Sequence, residues 1–180
     1  MAWEIDPVHS QVTFSVRHLV VSTVKGQFKV VSGQLHIDEK NPANSSVEAQ
    51  VDAASIDTRD EKRDGHLQSP DFFDAAQYPT ITFKSSKVEH LSGNEYHVTG
   101  DLTLHGVTKP VTFKAEYAGQ GKSPYGFQVA GLTATTKISR KEWGLNWNVA
   151  LEAGGFMVSD EVKIEIDLEA AYKGAPVATN

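Results

Sequence analysis

The residues best suited to polar chemistry lie in one short stretch, residues 57–66, where basic and acidic side chains are interleaved. His66 could form a hydrogen bond with a ligand carbonyl or phosphate. Arg63 and the distant Arg140 could neutralise an acidic group through charge-assisted hydrogen bonds. A structural interpretation is also open, in which His66 anchors the segment and the charges pair with one another. The interleaved basic residues are Arg59, Lys62 and Arg63, and the acidic ones are Asp57, Asp60, Glu61 and Asp64.

Seven histidines raise the question of a metal site. They show no short repeated ligand spacing, and the chain has no cysteine to join them. His9 stands beside Ser10, but no Gly-x-Ser-x-Gly elbow accompanies the pair. We therefore predict no metal, no cofactor and no catalytic residue. The histidines are His9, His18, His36, His66, His90, His97 and His105.

Composition and charge limit the class of protein. The 180 residues are 39% hydrophobic with a formal net charge of -6, which suits one domain and argues against a nucleic-acid surface. We take residues 1–173 as that domain and 174–180 as a polar tail. No apolar run has membrane-spanning length. The N-terminus lacks the pattern of an export signal, so the chain as written is predicted to be cytoplasmic; a chain that began after a removed signal would look the same and be periplasmic.

The stretch YHVTGDLTLHGVTKPVTFKAEY, residues 96–117, alternates with a period of two. Tyr96, Val98 and Leu102 share one face of a strand, and Val111 and Phe113 continue the pattern after the dipeptide His105-Gly106. This pattern predicts an antiparallel hairpin with one apolar face.

Similar alternation recurs along the chain, most clearly at residues 12–16, 47–53 and 162–168. The apolar phase changes near Gly33 and near Gly131, which suggests bulges or bends in long strands. Between residues 55 and 78 the alternation stops, and we predict a short helical insert near residues 60–75 with Thr58 or Asp60 as its N-cap. About eight strands with antiparallel turns predict an all-β fold, and the bends favour a barrel over a sandwich.

The interior of such a barrel is either packed or hollow. Several inward positions carry small residues, which would leave space unless the inward aromatic residues fill it. A chain of roughly thirty carbons would have a gross burial energy of ~24 kcal/mol, at ~0.8 kcal/mol per methylene. A hollow barrel would therefore need no polar chemistry to hold a lipid. The small inward residues are Ala49, Ala53, Gly100, Ala115, Gly131 and Ala134.

A family resemblance runs through most of the chain. The sequence resembles YceI-like proteins, lipocalin-like barrels regarded as binders of isoprenoids or other lipids. The matching motifs are Asp6-Pro7-Val8-His9-Ser10, Gly26-Gln27-Phe28, Ser55-Ile56-Asp57-Thr58, residues 63–73 (RDGHLQSPDFF), Tyr78-Pro79, residues 100–108 (GDLTLHGVT), residues 139–144 (SRKEWG) and residues 158–162 (VSDEV).

The resemblance implies a barrel with a lipophilic tunnel and a homodimer. We expect non-enzymatic binding, storage or transport of an isoprenoid or other long-chain lipid, of polyprenyl or quinone type. The head group is expected at His66, Arg63 and Arg140. Two alternatives stay open: a lipocalin-like enzyme acting on a bound lipophilic substrate, and a packed barrel that binds a protein partner on its surface. The expected tunnel lining is Phe14, Val16, Phe28, Phe72, Phe73, Phe83, Leu102, Leu104, Phe113, Trp143, Trp147, Phe156 and Met157.

Overall fold

The computed structural model describes residues 2–152, 154–172 and 174, and strands dominate it. One α-helix, α1, spans Glu61–Gln68, and short 3-10 turns lie at Pro42–Asn44, Ala53–Ser55 and Arg140–Trp143. The predicted tail lies outside the described residues except for Gly174. The strands are β1 Ala2–Ile5, β2 Gln11–His18, β3 Ser22–Phe28, β4 Val31–His36, β5 Ser46–Asp52, β6 Ile56–Asp57, β7 Thr80–Ser92, β8 Glu95–Leu104, β9 Val107–Lys122, β10 Gln128–Ser139 and β11 Val158–Tyr172.

These segments form a closed antiparallel barrel of eight strands, as the alternation predicted. Three of the eight strands are each broken in two: β1 continues into β2, β3 into β4, and β5 into β6. The long strand β11 closes the barrel, because its last residues pair with β1 and its earlier residues pair with β2. Each of the other strands pairs with its neighbours along the chain.

The two predicted bends have different outcomes. The register of β10 against β9 shifts between Gly131 and Leu132, which confirms a bulge there. Gly33, in contrast, pairs in regular register with Ala49, so a bulge at Gly33 is wrong. The break lies at Lys29 and Val30, whose N–H groups donate to the Ser55 Oγ at 3.1 and 3.2 Å. The Lys29 N–H is also 3.4 Å from the Ser55 carbonyl oxygen. Since Ser55 accepts from both N–H groups, the strand can end there.

The predicted hairpin is formed by β8 and β9, joined by His105 and Gly106. Both residues have positive φ, 52° and 72°, as a two-residue turn of the I′ type requires. Tyr78 packs closely against this turn, since a Cβ on Gly106 would lie 2.6 Å from the Tyr78 ring. The insert that ends at Tyr78 is thereby held on this hairpin.

The up-and-down topology separates the connections into two groups. One end of the barrel carries residues 19–21, the insert of residues 58–79, the β8–β9 turn and the segment of residues 140–157. We call this end the mouth. The far end carries the loop of residues 37–45 and the turns after β7 and β9. No helix in the described part of the chain is long and apolar enough to cross a membrane.

Candidate functional site: an apolar cavity in the barrel

The barrel is hollow. A cavity of about 650 Å³ extends inward from the mouth, and nearly all of its wall is apolar. This volume lies in the range of pockets that enclose small organic ligands. The predicted wall residues found there are Phe14, Val16, Phe28, Phe72, Phe73, Phe83, Leu102, Leu104, Phe113, Trp147 and Met157.

Strand alternation explains both the wall and the space. Paired residues of the adjacent strands β2 and β11, such as Phe14 and Ile164, lie side by side and both border the cavity. Ala115 and Ala134 are paired on β9 and β10, so at this position of the ladder two adjacent strands present only methyl groups to the interior. Large side chains at other wall positions do not reach across this gap, and the cavity remains.

The polar cluster at the mouth is organised around Thr58, which is 3% exposed. The Asp64 Oδ1 accepts from the Thr58 N–H at 2.8 Å and from its hydroxyl at 2.6 Å. Arg63 donates from Nε to the Thr58 Oγ1 at 2.8 Å and from Nη2 to its carbonyl at 2.7 Å. Among the described residues, no hydrogen bond holds the Nη1 group of Arg63. The cluster therefore fixes the insert through the Nε and Nη2 groups of Arg63.

Asp60 is the N-cap of α1, one of the two candidates from the sequence. Its carboxylate accepts from the Arg63 backbone N–H at 2.9 Å, and this bond lowers the pKa of Asp60 below its ordinary value. Asp57 is used similarly, by the Arg59 N–H and by an ion pair with Lys29 at 3.0 Å. These carboxylates stabilise the insert rather than form an acidic site.

His66 lies at the mouth and lines the cavity. Its Nε2 is 2.8 Å from the Asp71 Oδ2, and its ring packs edge to face against Trp147 and Phe72. The ring centroids are 4.7 Å from Trp147 and 5.1 Å from Phe72. His66 thus joins the insert to the segment of residues 140–157, as in the anchoring interpretation, while one part of its ring borders the cavity.

Arg140, the third residue predicted to hold a head group, is 3% exposed and borders the cavity. Its Nη1 donates to the carbonyls of Leu145 and Trp147, and its Nε donates to the Ser159 carbonyl at 2.9 Å. Its Nη2 faces the Val158 carbonyl at 3.4 Å and an Asp160 carboxylate oxygen at 3.9 Å. Burial lowers the pKa of Arg140, and Asp160 opposes that effect. Since every N–H of the guanidinium is directed at a protein oxygen, this side chain ties the rim of the mouth together.

Two predicted wall residues lie elsewhere. Trp143, 1% exposed, is buried outside the cavity, where its indole N–H donates to the Leu102 carbonyl at 3.0 Å. Phe156 is 56% exposed, and Lys141 Nζ lies 5.9 Å from its ring centroid. Both belong to an irregular segment in which no period separates inward from outward residues.

The sequence prediction missed wall residues for which a signal existed. Ile164 and Ile166 lie on the apolar face of β11, and Leu132 and Ile138 share the inward face of β10. Leu67 reaches the cavity from α1, which has no fully buried residue. The strand alternation would have found the first four, but only the position of the insert reveals Leu67.

Asp6, His9 and Glu169 form a cluster of metal-ligand type, with one ligand atom of each within 4.8 Å of the others. Hydrogen bonding accounts for the arrangement. The His9 Nδ1 is 2.9 Å from the Asp6 Oδ2 and 3.9 Å from a Glu169 oxygen. This bond raises the pKa of His9 and lowers the pKa of Asp6. The cluster closes the gap between β1 and β2 against β11.

A closed eight-stranded antiparallel barrel around an apolar cavity is consistent with the lipocalin-like fold. The sequence profile of the family described as the YceI-like domain matches residues 3–170. This chain therefore belongs to the YceI-like family.

Relatives and solved structures agree with this assignment. Protein YceI of Escherichia coli O157:H7 is 42% identical over 165 residues, which cover 92% of this chain and 83% of that protein. The structure of BcnA from Burkholderia cenocepacia has a TM-score of 0.80 at 29% identity, covering 92% of this chain and 98% of that one. A polyisoprenoid binding domain from Saccharophagus degradans has a TM-score of 0.66 at 16% identity and covers 93% of this chain and 97% of that one, a likeness that shows the fold alone.

Proposed function

We propose that this protein binds one long-chain lipid of isoprenoid type, such as a polyprenyl chain or a quinone, in its cavity and stores or transports it unchanged. The observation that carries the proposal is the apolar cavity of about 650 Å³ inside a closed barrel. The family membership supports it, and so does the fold shared with a polyisoprenoid binding domain. The family resemblance also supports a homodimer, which analytical ultracentrifugation would measure.

The cavity volume sets the size of the ligand. With roughly 30 Å³ for each methylene-sized group, the volume of one water molecule in the liquid, the cavity holds about twenty carbons. At ~0.8 kcal/mol per methylene, their gross burial energy is ~16 kcal/mol. That value lies below the practical ceiling of about 18 to 21 kcal/mol before the cost of ordering the chain is subtracted. Exclusion of water alone thus supplies tight binding.

The mouth suits a small polar head group. We place that group beside His66, the Nη1 of Arg63 and Lys62, all of which border the cavity opening. An exposed cation near an anionic group contributes about 0 to 1 kcal/mol. We therefore expect a prenyl alcohol and a prenyl diphosphate of equal chain length to bind with affinities within about tenfold of each other.

The test is lipid uptake by purified protein after solvent extraction. Native mass spectrometry should show one prenyl alcohol of about twenty carbons per cavity, with its mass unchanged after incubation. At a free ligand concentration of about 100 Kd, mass action stabilises the fold by ~2.7 kcal/mol, a rise in Tm of about 5 to 10 °C. Extracted protein that takes up neither a prenyl lipid nor any long-chain amphiphile would refute the proposal.

A matched pair of variants on β10 locates the ligand. Ala134 faces the cavity and Thr135, the next residue, faces solvent. Ala134→Phe fills the cavity and should weaken lipid uptake at least about tenfold, while Thr135→Phe adds the same ring outside and should leave uptake unchanged. Equal effects of both variants would place the lipid outside the barrel.

A further inference from the structure

A second cavity, of about 270 Å³, lies at the far end of the barrel. Its wall includes Val88 and Tyr117 and part of the loop of residues 37–45. The two cavities have four wall residues in common, Val47, Val98, Ala115 and Leu132. These four side chains, one each from β5, β8, β9 and β10, form the boundary between the two spaces.

We propose that this boundary is a chain-length selector: a lipid of about twenty carbons fills the first cavity alone, and a longer chain passes the boundary and continues into the second, up to about thirty carbons. The inference rests on the proposed lipid-binding function and adds the chain length that the site accepts. The second volume, 270 Å³, provides the additional carbons at roughly 30 Å³ each.

The four boundary residues differ in the size of their side chains. Val47, Val98 and Leu132 carry branched side chains, whereas Ala115 presents only a methyl group. Leu132 adjoins the bulge at which β10 loses register with β9, so its position relative to Tyr117 is fixed by the ladder. A chain would therefore pass over Ala115.

The wall of the second cavity contains a side-chain bond between β9 and the loop of residues 37–45. The Tyr117 hydroxyl donates to the Glu39 Oε1 at 3.0 Å and ties the loop of residues 37–45 to β9. The loop is held from within by Asp38, whose Oδ1 accepts from the Asn41 N–H at 2.9 Å and from the Lys40 N–H at 3.1 Å. Burial raises the pKa of Tyr117 to about 12, so its hydroxyl stays a donor at neutral pH. The bond therefore holds the loop against β9 as part of the wall of the second cavity.

The test offers extracted protein an equimolar mixture of prenyl alcohols of about twenty and about thirty carbons and measures the two complexes by native mass spectrometry. The wild type should favour the longer alcohol at least about tenfold, because its additional carbons bury more apolar surface. In Ala115→Leu the added branch blocks the passage, and this preference should disappear while the shorter alcohol still binds.

Ala134→Leu is the matched control. Ala134 pairs with Ala115 across the ladder but borders only the first cavity. This variant should weaken both alcohols and keep the ratio between them. Val88→Phe adds a ring to the second cavity from β7, and Val88 does not border the first cavity. This variant should abolish the preference for the longer alcohol, as Ala115→Leu does. Either variant alone can therefore test the boundary if the other does not fold.

The outcomes separate this inference from the function on which it rests. An unchanged preference for the longer alcohol in Ala115→Leu and in Val88→Phe, or no preference in the wild type, would overturn the selector and leave lipid binding intact. A wild type that binds neither alcohol would overturn both.

Discussion

Replacing Arg140 by methionine separates a structural role from a ligand-binding role, because the two predict opposite results. The guanidinium is 3% exposed and is directed at four backbone carbonyls and at Asp160. Methionine fills a similar volume but donates no hydrogen bond. The Val158 carbonyl retains the Asn148 side-chain amide at 2.7 Å, whereas the carbonyls of Leu145 and Trp147 lose the donor that Arg140 supplies.

The expected cost follows from these bonds. An orphaned buried carbonyl costs about 1 to 3 kcal/mol, and Arg140→Met leaves two carbonyls, those of Leu145 and Trp147, without this donor. Asp160 is half exposed and keeps Lys141, so its charge adds little to the cost. We therefore expect Arg140→Met to lower the free energy of unfolding by about 2 to 6 kcal/mol, a large part of a total of about 5 to 15. Urea unfolding at neutral pH, followed by tryptophan fluorescence, measures this change.

Lys141 provides the control, since it pairs with the same Asp160 at 3.4 Å but is half exposed. Lys141→Met should cost at most about 1 kcal/mol. Arg140→Lys keeps the charge but has fewer and differently placed donors, so it should lose most of the same stability. The reasoning would be refuted if Arg140→Met unfolded like the wild type and bound a prenyl diphosphate more weakly than the matching alcohol.

Three further results are expected. The bond between His9 and Asp6 raises the pKa of His9 above its ordinary 6.5 and lowers that of Asp6 below 3.8, so the pair stabilises most between those values. The difference in urea midpoint between wild type and His9→Gln should shrink as pH rises through the folded pKa of His9 and as pH falls through that of Asp6. In an ultraviolet titration, one of the five tyrosines should ionise at about pH 12, and this ionisation step should be absent in Tyr117→Phe. The stability linked to the Tyr117 hydroxyl is present below pH 10 and is lost as pH rises towards 12. Gly100→Ala should lower the free energy of unfolding, measured in urea, by about 1 to 3 kcal/mol, because its Cβ would lie 2.4 Å from the Lys84 carbonyl oxygen. For the control Gly121→Ala the nearest atom lies at 3.8 Å, so the free energy of unfolding should change by no more than about 0.5 kcal/mol. Equal costs for the two variants would contradict this reasoning.

The fold could be predicted because apolar residues recur with a period of two wherever a strand buries one face of its sheet. The alternation in β8, β9 and β11 placed these strands correctly, and the phase change at Gly131 located a bulge. The break at Lys29 could not be found in the same way. It depends on the Ser55 hydroxyl, which comes from another part of the chain and has no local pattern.

The candidate site could be predicted only in part, for the same reason. Phe14 and Phe113 follow the alternation and line the cavity, whereas Trp143 and Phe156 stand in a segment without a period. The partners of Arg140 are backbone carbonyls, which every residue carries, so composition cannot indicate them. The volumes of the cavities likewise depend on which alanines face one another after folding, as Ala115 and Ala134 do.

The polar groups of the mouth are largely committed to the protein, and this determines how a ligand can be recognised. Arg140 forms hydrogen bonds with backbone carbonyls, His66 with the Asp71 carboxylate, and Asp64 with the Thr58 hydroxyl. These bonds already use much of the hydrogen-bonding capacity of the three side chains, so a charged head group gains little by replacing them. The wall, in contrast, gains about 0.8 kcal/mol for every methylene that enters it. Selectivity should therefore follow the length of the chain more than the chemistry of its head, and we expect substitutions at the boundary beside Ala115 to change the preferred length.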